Sequence, residues 1–321
     1  MLAYVLRRIG YGVTVVFGVL LFLFVLFFTV TTPDDVARKA LGDRVPPAVI
    51  EQWKANHGYD KPLFPGAGHW RDNMLVEHFR RMLSFDFGRS DADDTPIVDR
   101  LRAGLGPSLA LTVPLFLLSL LAAIPLALLV AFFRETYIDR AGVVIAVLAM
   151  SVSILLYIIG VQYLVGKLLH WFPISGFDAD PRVAPRFLAL PVLIGVVHGL
   201  GGDVRFYRTV FLEESNTDYV RTARAKGASE ARIMGVHVFR NSLIPLLTQI
   251  VVAIPFLFTG SLLLESFFGI PGLGALTVDA IQGNDFSTLR TMVYVGSLLF
   301  VVGQILTDIS YALVDPRVRF E

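Results

Sequence analysis

Long apolar stretches separated by short polar intervals dominate the chain. Six segments carry them, at about 9–31, 108–133, 141–166, 187–206, 243–266 and 291–314. About 20 mostly apolar residues in helical form cross the hydrocarbon core of a bilayer. The pattern therefore predicts an all-α integral membrane protein with six transmembrane helices, formed by residues 1–321 as a single transmembrane domain. The fourth segment is the least apolar, because His198, Gly199, Gly201, Gly202 and Asp203 dilute it. The first runs from Ile9 to about Val30, too long for a signal-peptide core, and no Ala-x-Ala cleavage pattern follows it. It is expected to be a retained span.

Two polar intervals are long enough to have structure of their own, 32–107 and 205–242. In the first, Pro46-Pro47 followed by AVIEQWKANHG predicts a short helix ending at Gly58. HWRDNMLVEHFRRMLSFDFG predicts a second, with Trp70, Met74, Leu75, Phe79, Met82 and Leu83 at helical spacing. That face either packs on the ends of the spans or helps receive a substrate-delivering protein. Pro114, Pro125 and Pro255 fall inside predicted spans and are expected to kink them.

Charge placement orients the chain. An even number of spans puts both termini on one side, and the positive-inside rule selects it. Arg7, Arg8, Arg134, Arg140, seven basic residues between Arg205 and Arg240, and Arg317 and Arg319 then lie inside. The short segments outside carry only Lys167, Arg182, Arg186 and Arg290. The expected arrangement is a multi-pass protein of the bacterial cytoplasmic (inner) membrane, N-in and C-in, with 32–107 extracytoplasmic and 205–242 cytoplasmic.

Composition narrows the function. The chain is 55% hydrophobic and 17% charged, against about a quarter charged in soluble domains. No basic stripe with interleaved aromatics points to nucleic acid. The absence of cysteine removes disulfide frameworks, thiolate metal sites and cysteine nucleophiles. GIPGLG at 269–274 lacks the Lys-Ser/Thr of a phosphate cradle, so no nucleotide site is expected here.

Ionisable residues inside spans are expensive and point to function. His198 near mid-span either lines a path or bonds to a neighbouring helix. Asp203 lies two residues from Arg205, which suggests a local charge arrangement. Glu265, at the start of a Gly/Pro-rich stretch, is a gating candidate. Asp308, in the last span, is a pathway candidate or an interhelical partner that fixes packing.

The interval between spans four and five reads as helix, break, helix over DYVRTARAKGASEARIM, 218–234. Thr222, Ala223 and Ala225 are small, Gly227 permits a positive-φ turn, and Ser229 can cap the following helix. Such a unit suits a rigid knob that docks in another protein's groove; a basic helix drawn to anionic lipid fits the same composition.

These residues resemble the coupling motif of ABC importer permeases. Gly227 corresponds to the family glycine and Ala223 to the last alanine before it, while Arg221 and Thr222 replace the usual Glu and Ala. RTARAKG is similar to the form found in the dipeptide/oligopeptide/nickel branch. Five further stretches match in order: GYDKP at 58–62, FDFGRS at 85–90, WFPISG at 171–176, ESFFGIPGLG at 265–274 and DISYALVDPR at 308–317. Within the branch, the ending SYALVDPRVRFE and the HVFRN and FTGSLLLE stretches look nearest to microcin C and oligopeptide permeases. The resemblance implies a type I ABC importer permease fold and a transport subunit without catalysis of its own. It implies a second related permease, two cytoplasmic ATPases that bind ATP and Mg, an extracytoplasmic substrate-binding protein, and oligopeptide or peptide-like cargo. It assigns ATPase coupling to Thr222, Ala223, Ala225, Lys226, Gly227, Ala228, Ser229 and Glu230. The same machine with nickel, glycan or opine cargo, and a stand-alone secondary transporter, are the alternatives.

Overall fold

The computed structural model describes residues 2–30, 32–42, 45–57, 59–66 and 70–314. Among them the secondary structure is helical, apart from one isolated bridge pairing Arg89 with Pro96. Five continuous helical stretches are long and apolar enough to cross a membrane: Leu6–Val30, Ile97–Phe132, Ala184–Ser215, Glu230–Phe258 and Phe286–Ile309. Two bent helix pairs join them, Tyr137–Ser151 with Ile154–Leu168 at 87° and Leu262–Phe268 with Leu273–Gln282 at 83°.

In chain order the helices are α1 (Leu2–Phe24), α2 (Pro33–Leu41), α3 (Pro47–His57), α4 (Met74–Leu83) and α5 (Ile97–Phe132). Then come α6 (Tyr137–Ser151), α7 (Ile154–Val161), α8 (Ala184–Ser215), α9 (Asp218–Ala225) and α10 (Glu230–Arg232). The last are α11 (Phe239–Ala253), α12 (Leu262–Phe268), α13 (Leu273–Gln282) and α14 (Phe286–Val314).

Four predicted spans differ from the observed helices; the second, 108–133, starts about three turns earlier than predicted, at Ile97. The third, 141–166, is bent, because Val152 is extended and Ser153 starts a new helix, accepting from the Leu155 amide at 3.3 Å. The fourth is longer than predicted, since α8 continues through its polar stretch to Ser215. The fifth stops at Phe258. Pro255, which has no N–H, opens a tightened turn over Ile254–Phe258. Gly260 at φ +73° then reverses the chain, and residues 262–266 belong to α12. Pro114 and Pro125 do not break α5, which runs through both.

Among its described residues the interval 32–107 holds three helices rather than two. α2 opens with a full capping box: Thr32 accepts from the Asp35 amide while Asp35 accepts from the Thr32 amide, with Pro33 in the first turn. The second predicted helix begins only at Met74, capped by Asn73. α3 extends to His57; its expected stop, Gly58, lies outside the described residues, as do Arg317, Arg319 and 315–317 of the C-terminal motif.

Packing ties the described helices of the interval 32–107 to the spans. Leu20, Phe24 and Phe28 at the end of the first span form one apolar cluster with Tyr59, Met74, Met82, Phe87 and Tyr294. A second cluster joins α5, α8 and the stretch from α9 to α11 around Phe211, Val220, Ile233 and Val238. A third lies between α5, α7, α8 and α12. Elsewhere large apolar side chains face outward, including Phe17 and Phe22 on α1 and Ile145 and Leu148 on α6. An exterior of this kind suits lipid rather than water.

Candidate functional site

The stretch between α8 and α11 is a knob with two faces. α9 is held from below by Val220, which is fully buried, and by Ala223 and Ala228, which pack on the cluster around Phe211 and Ile233. Its upper face is open: Thr222, Ala225, Lys226, Gly227, Ser229 and Glu230 are all exposed. Gly227 has φ +80°, with nothing within 4 Å of the position a Cβ would take. The amide of Ala228 donates to the Ala223 carbonyl at 3.1 Å, and Arg224 clamps Glu230 at 2.7 Å, so the turn is rigid from both sides. Ser229 stands at the N-cap of α10 but makes no side-chain capping bond; the Arg224–Glu230 pair holds the joint instead. A groove of about 470 Å³ runs along the knob, lined by Thr222, Ala223, Lys226, Gly227, Ala228 and Arg232.

Glu265 organises the α12–α13 bend. Its side chain is fully buried. Oε1 accepts from Ser108 Oγ at 2.8 Å and from the Ser261 amide at 2.9 Å, and Oε2 accepts from the Ala275 amide at 3.1 Å. Ser108 Oγ in turn accepts from the Leu273 amide at 2.7 Å. One carboxylate thus joins the start of α12, the first turn of α13 and the middle of α5, and its charge sits at the helix end that favours an anion. Gly272 makes this approach possible: a Cβ there would lie 2.3 Å from Glu265 Oε2 and 2.5 Å from Ser108 Oγ.

The other intramembrane candidates have separate neighbours. Asp308 is ion-paired with Arg8 at 3.1 Å, tying α14 to α1. His198 is half-buried against the Tyr157 ring, centroids 5.5 Å apart, and its Nδ1 has no hydrogen-bond partner among the described residues. Asp203 forms no ion pair with Arg205 among the described residues. The charge pair lies one turn further on: Arg208 Nε and Nη2 donate to the two oxygens of Asp139 at 2.7 and 2.9 Å. This bond joins α8 to the start of α6. The partners are 69 positions apart, so spacing along the chain gives no hint of it. The structure brings neither His198 nor Asp308 into the Glu265 network.

On the opposite end of the bundle, the FDFGRS element fastens the interval 32–107 to the start of α14. Ser90 Oγ donates to Asp285 at 2.6 Å, and the Asp91 amide donates to the same carboxylate at 3.1 Å. Asp91 accepts from the amide and hydroxyl of Ser287 at 2.7 and 2.9 Å. Arg100 adds an ion pair to Asp285 at 3.0 Å. Burial pushes the Asp91 carboxyl up, opposed by the nearby Arg290 and the Ser287 amide. Burial likewise pushes the Tyr59 hydroxyl up to about 12.

His78 of α4 is buried beneath this anchor, with Nε2 3.0 Å from the Leu20 carbonyl. A carbonyl only accepts, so Nε2 carries the proton and Nδ1 a lone pair. Burial, then the Arg290 charge, lowers its pKa from 6.5 to about 3. The folded value lies below the unfolded one. The unfolded chain therefore binds more protons as pH falls below about 6.5, and stability is lost from there down to about 3. At about pH 5 the loss amounts to roughly 2 kcal/mol. Amide protection across 74–83 should fall at least about tenfold between about pH 7 and pH 5. In His78→Phe, which keeps the apolar contacts, it should stay level. An equal fall in both proteins would place the titration elsewhere.

Comparison with known proteins bears on the whole chain. Residues 123–320 match the family described as binding-protein-dependent transport system inner membrane component. The chain belongs to this family. Residues 1–112 match the N-terminal model of the same transport-system membrane components, so α2, α3 and α4 fall within the family match. A protein of Brucella abortus named as a peptide transport system permease is 32% identical over 325 residues, covering 100% of both chains. A probable peptide ABC transporter permease of Sinorhizobium fredii is 30% identical over 322 residues, 99% of each. The glutathione transport system permease of Escherichia coli K12 is 30% identical over 329 residues, 100% of each. Membership of the family makes this chain a membrane permease subunit, and the knob and the Glu265 bend are features of that subunit.

Proposed function

We propose that the chain is one permease half of an ATP-driven importer of short peptides or peptide-like conjugates. It works beside a second, related permease, two cytoplasmic ATPase subunits that carry the ATP and Mg, and an external binding protein that delivers substrate. The chain performs no chemical step. ATP binding and hydrolysis shift the ATPases, the knob at Thr222–Glu230 moves with them, and the spans alternate between outward and inward access. Such coupling requires that the knob bind the two ATPase arrangements with different free energies.

The observation that carries this reading is the knob itself: a rigid turn, anchored below by Val220 and open above at Thr222, Ala225, Lys226 and Gly227. Full-length similarity to proteins named as peptide permeases supports the cargo class. For topology, we take the five continuous helices and the bent α6–α7 pair as six spans, and α12–α13 as a re-entrant pair. Contacts across the bundle agree on relative sidedness: Asp91 meets Ser287 at one end, while Arg134 meets Asn216 and Asp139 meets Arg208 at the other. Arginine placement then makes the first end external and both termini cytoplasmic.

The cysteine-free sequence allows a direct test. In intact cells a membrane-impermeant maleimide should label Asp94→Cys, and should label Ser229→Cys only after permeabilisation. The reverse pattern would overturn the orientation. In the same cells, deletion of the gene should abolish uptake of short peptides; unchanged peptide uptake with loss of a metal or sugar would overturn the cargo.

A further inference from the structure

A cavity of about 450 Å³ lies within the outer interval, walled by α4, the FDFGRS element and the start of α14. Its size is that of a small-molecule site. The wall combines four carboxylates with three guanidinium groups. Most are already paired: Glu77 with Arg80 and Arg81 at 2.8 and 2.6 Å, and Arg89 with Asp94 at 3.0 Å.

What remains is specific. His78 Nδ1 and Arg290 Nε are buried and have no hydrogen-bond partner among the described residues. His78 Nδ1 is an acceptor, because Nε2 faces the Leu20 carbonyl. Arg290 Nε is a donor, on a guanidinium stacked over the Phe28 ring at 4.7 Å, whose Nη2 already donates to Ser287 at 3.4 Å and whose charge acts on Asp91. Asp86, which lines the cavity but is exposed, accepts from the Gly88 amide at 3.3 Å and forms no ion pair among the described residues. The two buried atoms, His78 Nδ1 and Arg290 Nε, cost free energy until something bonds to them.

The guest that meets these groups must supply both a donor and an acceptor. A simple anion would suit Arg290 but face the carboxylates unpaired. A simple cation would suit Asp86 and His78 Nδ1 but face the guanidiniums. No group of three or more metal-ligating side chains exists among the described residues. We infer that this cavity is a binding site for a zwitterionic short peptide, its carboxylate toward Arg290 and its ammonium toward Asp86 and His78. Charge-assisted bonds of this kind are the strong ones. The site lies in the interval assigned to the outer face, where it would hold cargo before it enters the bundle. The choice of a peptide guest rests on the peptide-import reading above.

The test uses the purified full chain in lipid nanodiscs and three probes: trialanine, N-acetyl-trialanine, which lacks the ammonium, and trialanine amide, which lacks the carboxylate. Saturation-transfer NMR should show saturable binding of trialanine, with each capped probe at least about tenfold weaker. Arg290→Gln should weaken trialanine similarly. Because Arg290 is partly buried, Asn56→Trp serves as the second variant: Asn56 is exposed and lines the cavity, so the indole fills the space without disturbing the core. It too should cost at least about tenfold. Absence of saturable binding, equal binding of the capped probes, or binding unchanged by Asn56→Trp would each overturn the site. Trialanine import that depends on this gene, without cavity binding, would overturn the site and leave the importer. Cavity binding without gene-dependent import would overturn the peptide cargo and leave the site.

Discussion

Glu265→Ala is expected to abolish the folded permease. The change strands the Ser261 and Ala275 amides and the Ser108 hydroxyl, all of which now donate to one buried carboxylate. Each buried donor left without a partner costs about 1–3 kcal/mol, so the three together cost on the order of 3–9 kcal/mol. That is a large part of a typical domain's stability, which is about 5–15 kcal/mol. Glu265→Gln should not rescue it. Both carboxylate oxygens face donors, so in either orientation the amide nitrogen of glutamine points at another N–H or O–H. Fluorescence-detected size exclusion and thermal unfolding in detergent should show both variants destabilised, with Glu265→Ala nearly absent from the monodisperse peak. A Glu265→Ala protein of normal abundance and midpoint would mean that the α12–α13 bend is held by something other than this carboxylate.

Gly227→Asp should do the opposite: leave the fold intact and abolish transport. The residue is exposed, and nothing lies within 4 Å of its Cβ position, so the side chain meets no atom of its own chain. Loss of glycine at φ +80° strains the turn by about 1 kcal/mol, too little to unfold a knob anchored by Val220. At a docked surface the same carboxylate adds bulk where the two backbones approach, and a charge that is costly to bury unpaired. Membrane abundance should stay near normal, ATPase association should weaken, and substrate-stimulated ATP hydrolysis should be lost. Gly227→Ala isolates the backbone strain and should be milder. Lys226→Gln, which removes one exposed charge, should be milder still. Normal assembly and import by Gly227→Asp would remove the knob from the coupling pathway and favour contact of this basic helix with anionic lipid.

The helices were legible because hydropathy is a local property: the first span, α5 and α14 follow directly from runs of Leu, Val and Phe. Their interruptions were not. Val152-Ser153 and Thr259-Gly260-Ser261 break the chain within stretches still apolar enough to read as continuous, and Pro114 and Pro125 sit inside a helix that stays whole. The Thr32-Pro33-Asp34-Asp35 box does carry a start signal for α2 in its residues, but a nine-residue polar helix has no long apolar run to mark it. Gly227 was legible because a lone glycine that follows a small-residue helix marks a turn with positive φ. Glu265 stood out as an acidic residue before a Gly/Pro-rich stretch, whereas its partner Ser108 lies 157 positions away. The Arg208–Asp139 pair, the Asp91–Ser287 anchor and the cavity between α4 and α14 belong to tertiary contact alone. No spacing along the chain foretells them.

The most direct test of the account is ATP-driven uptake in proteoliposomes, with this permease, its partner permease and both ATPases purified as one complex and the binding protein added outside. Accumulation of a labelled short peptide that requires ATP and the binding protein, and that disappears with Gly227→Asp while the complex still elutes intact, is the predicted result. Peptide uptake by this chain alone, without ATPase subunits or ATP, would contradict it.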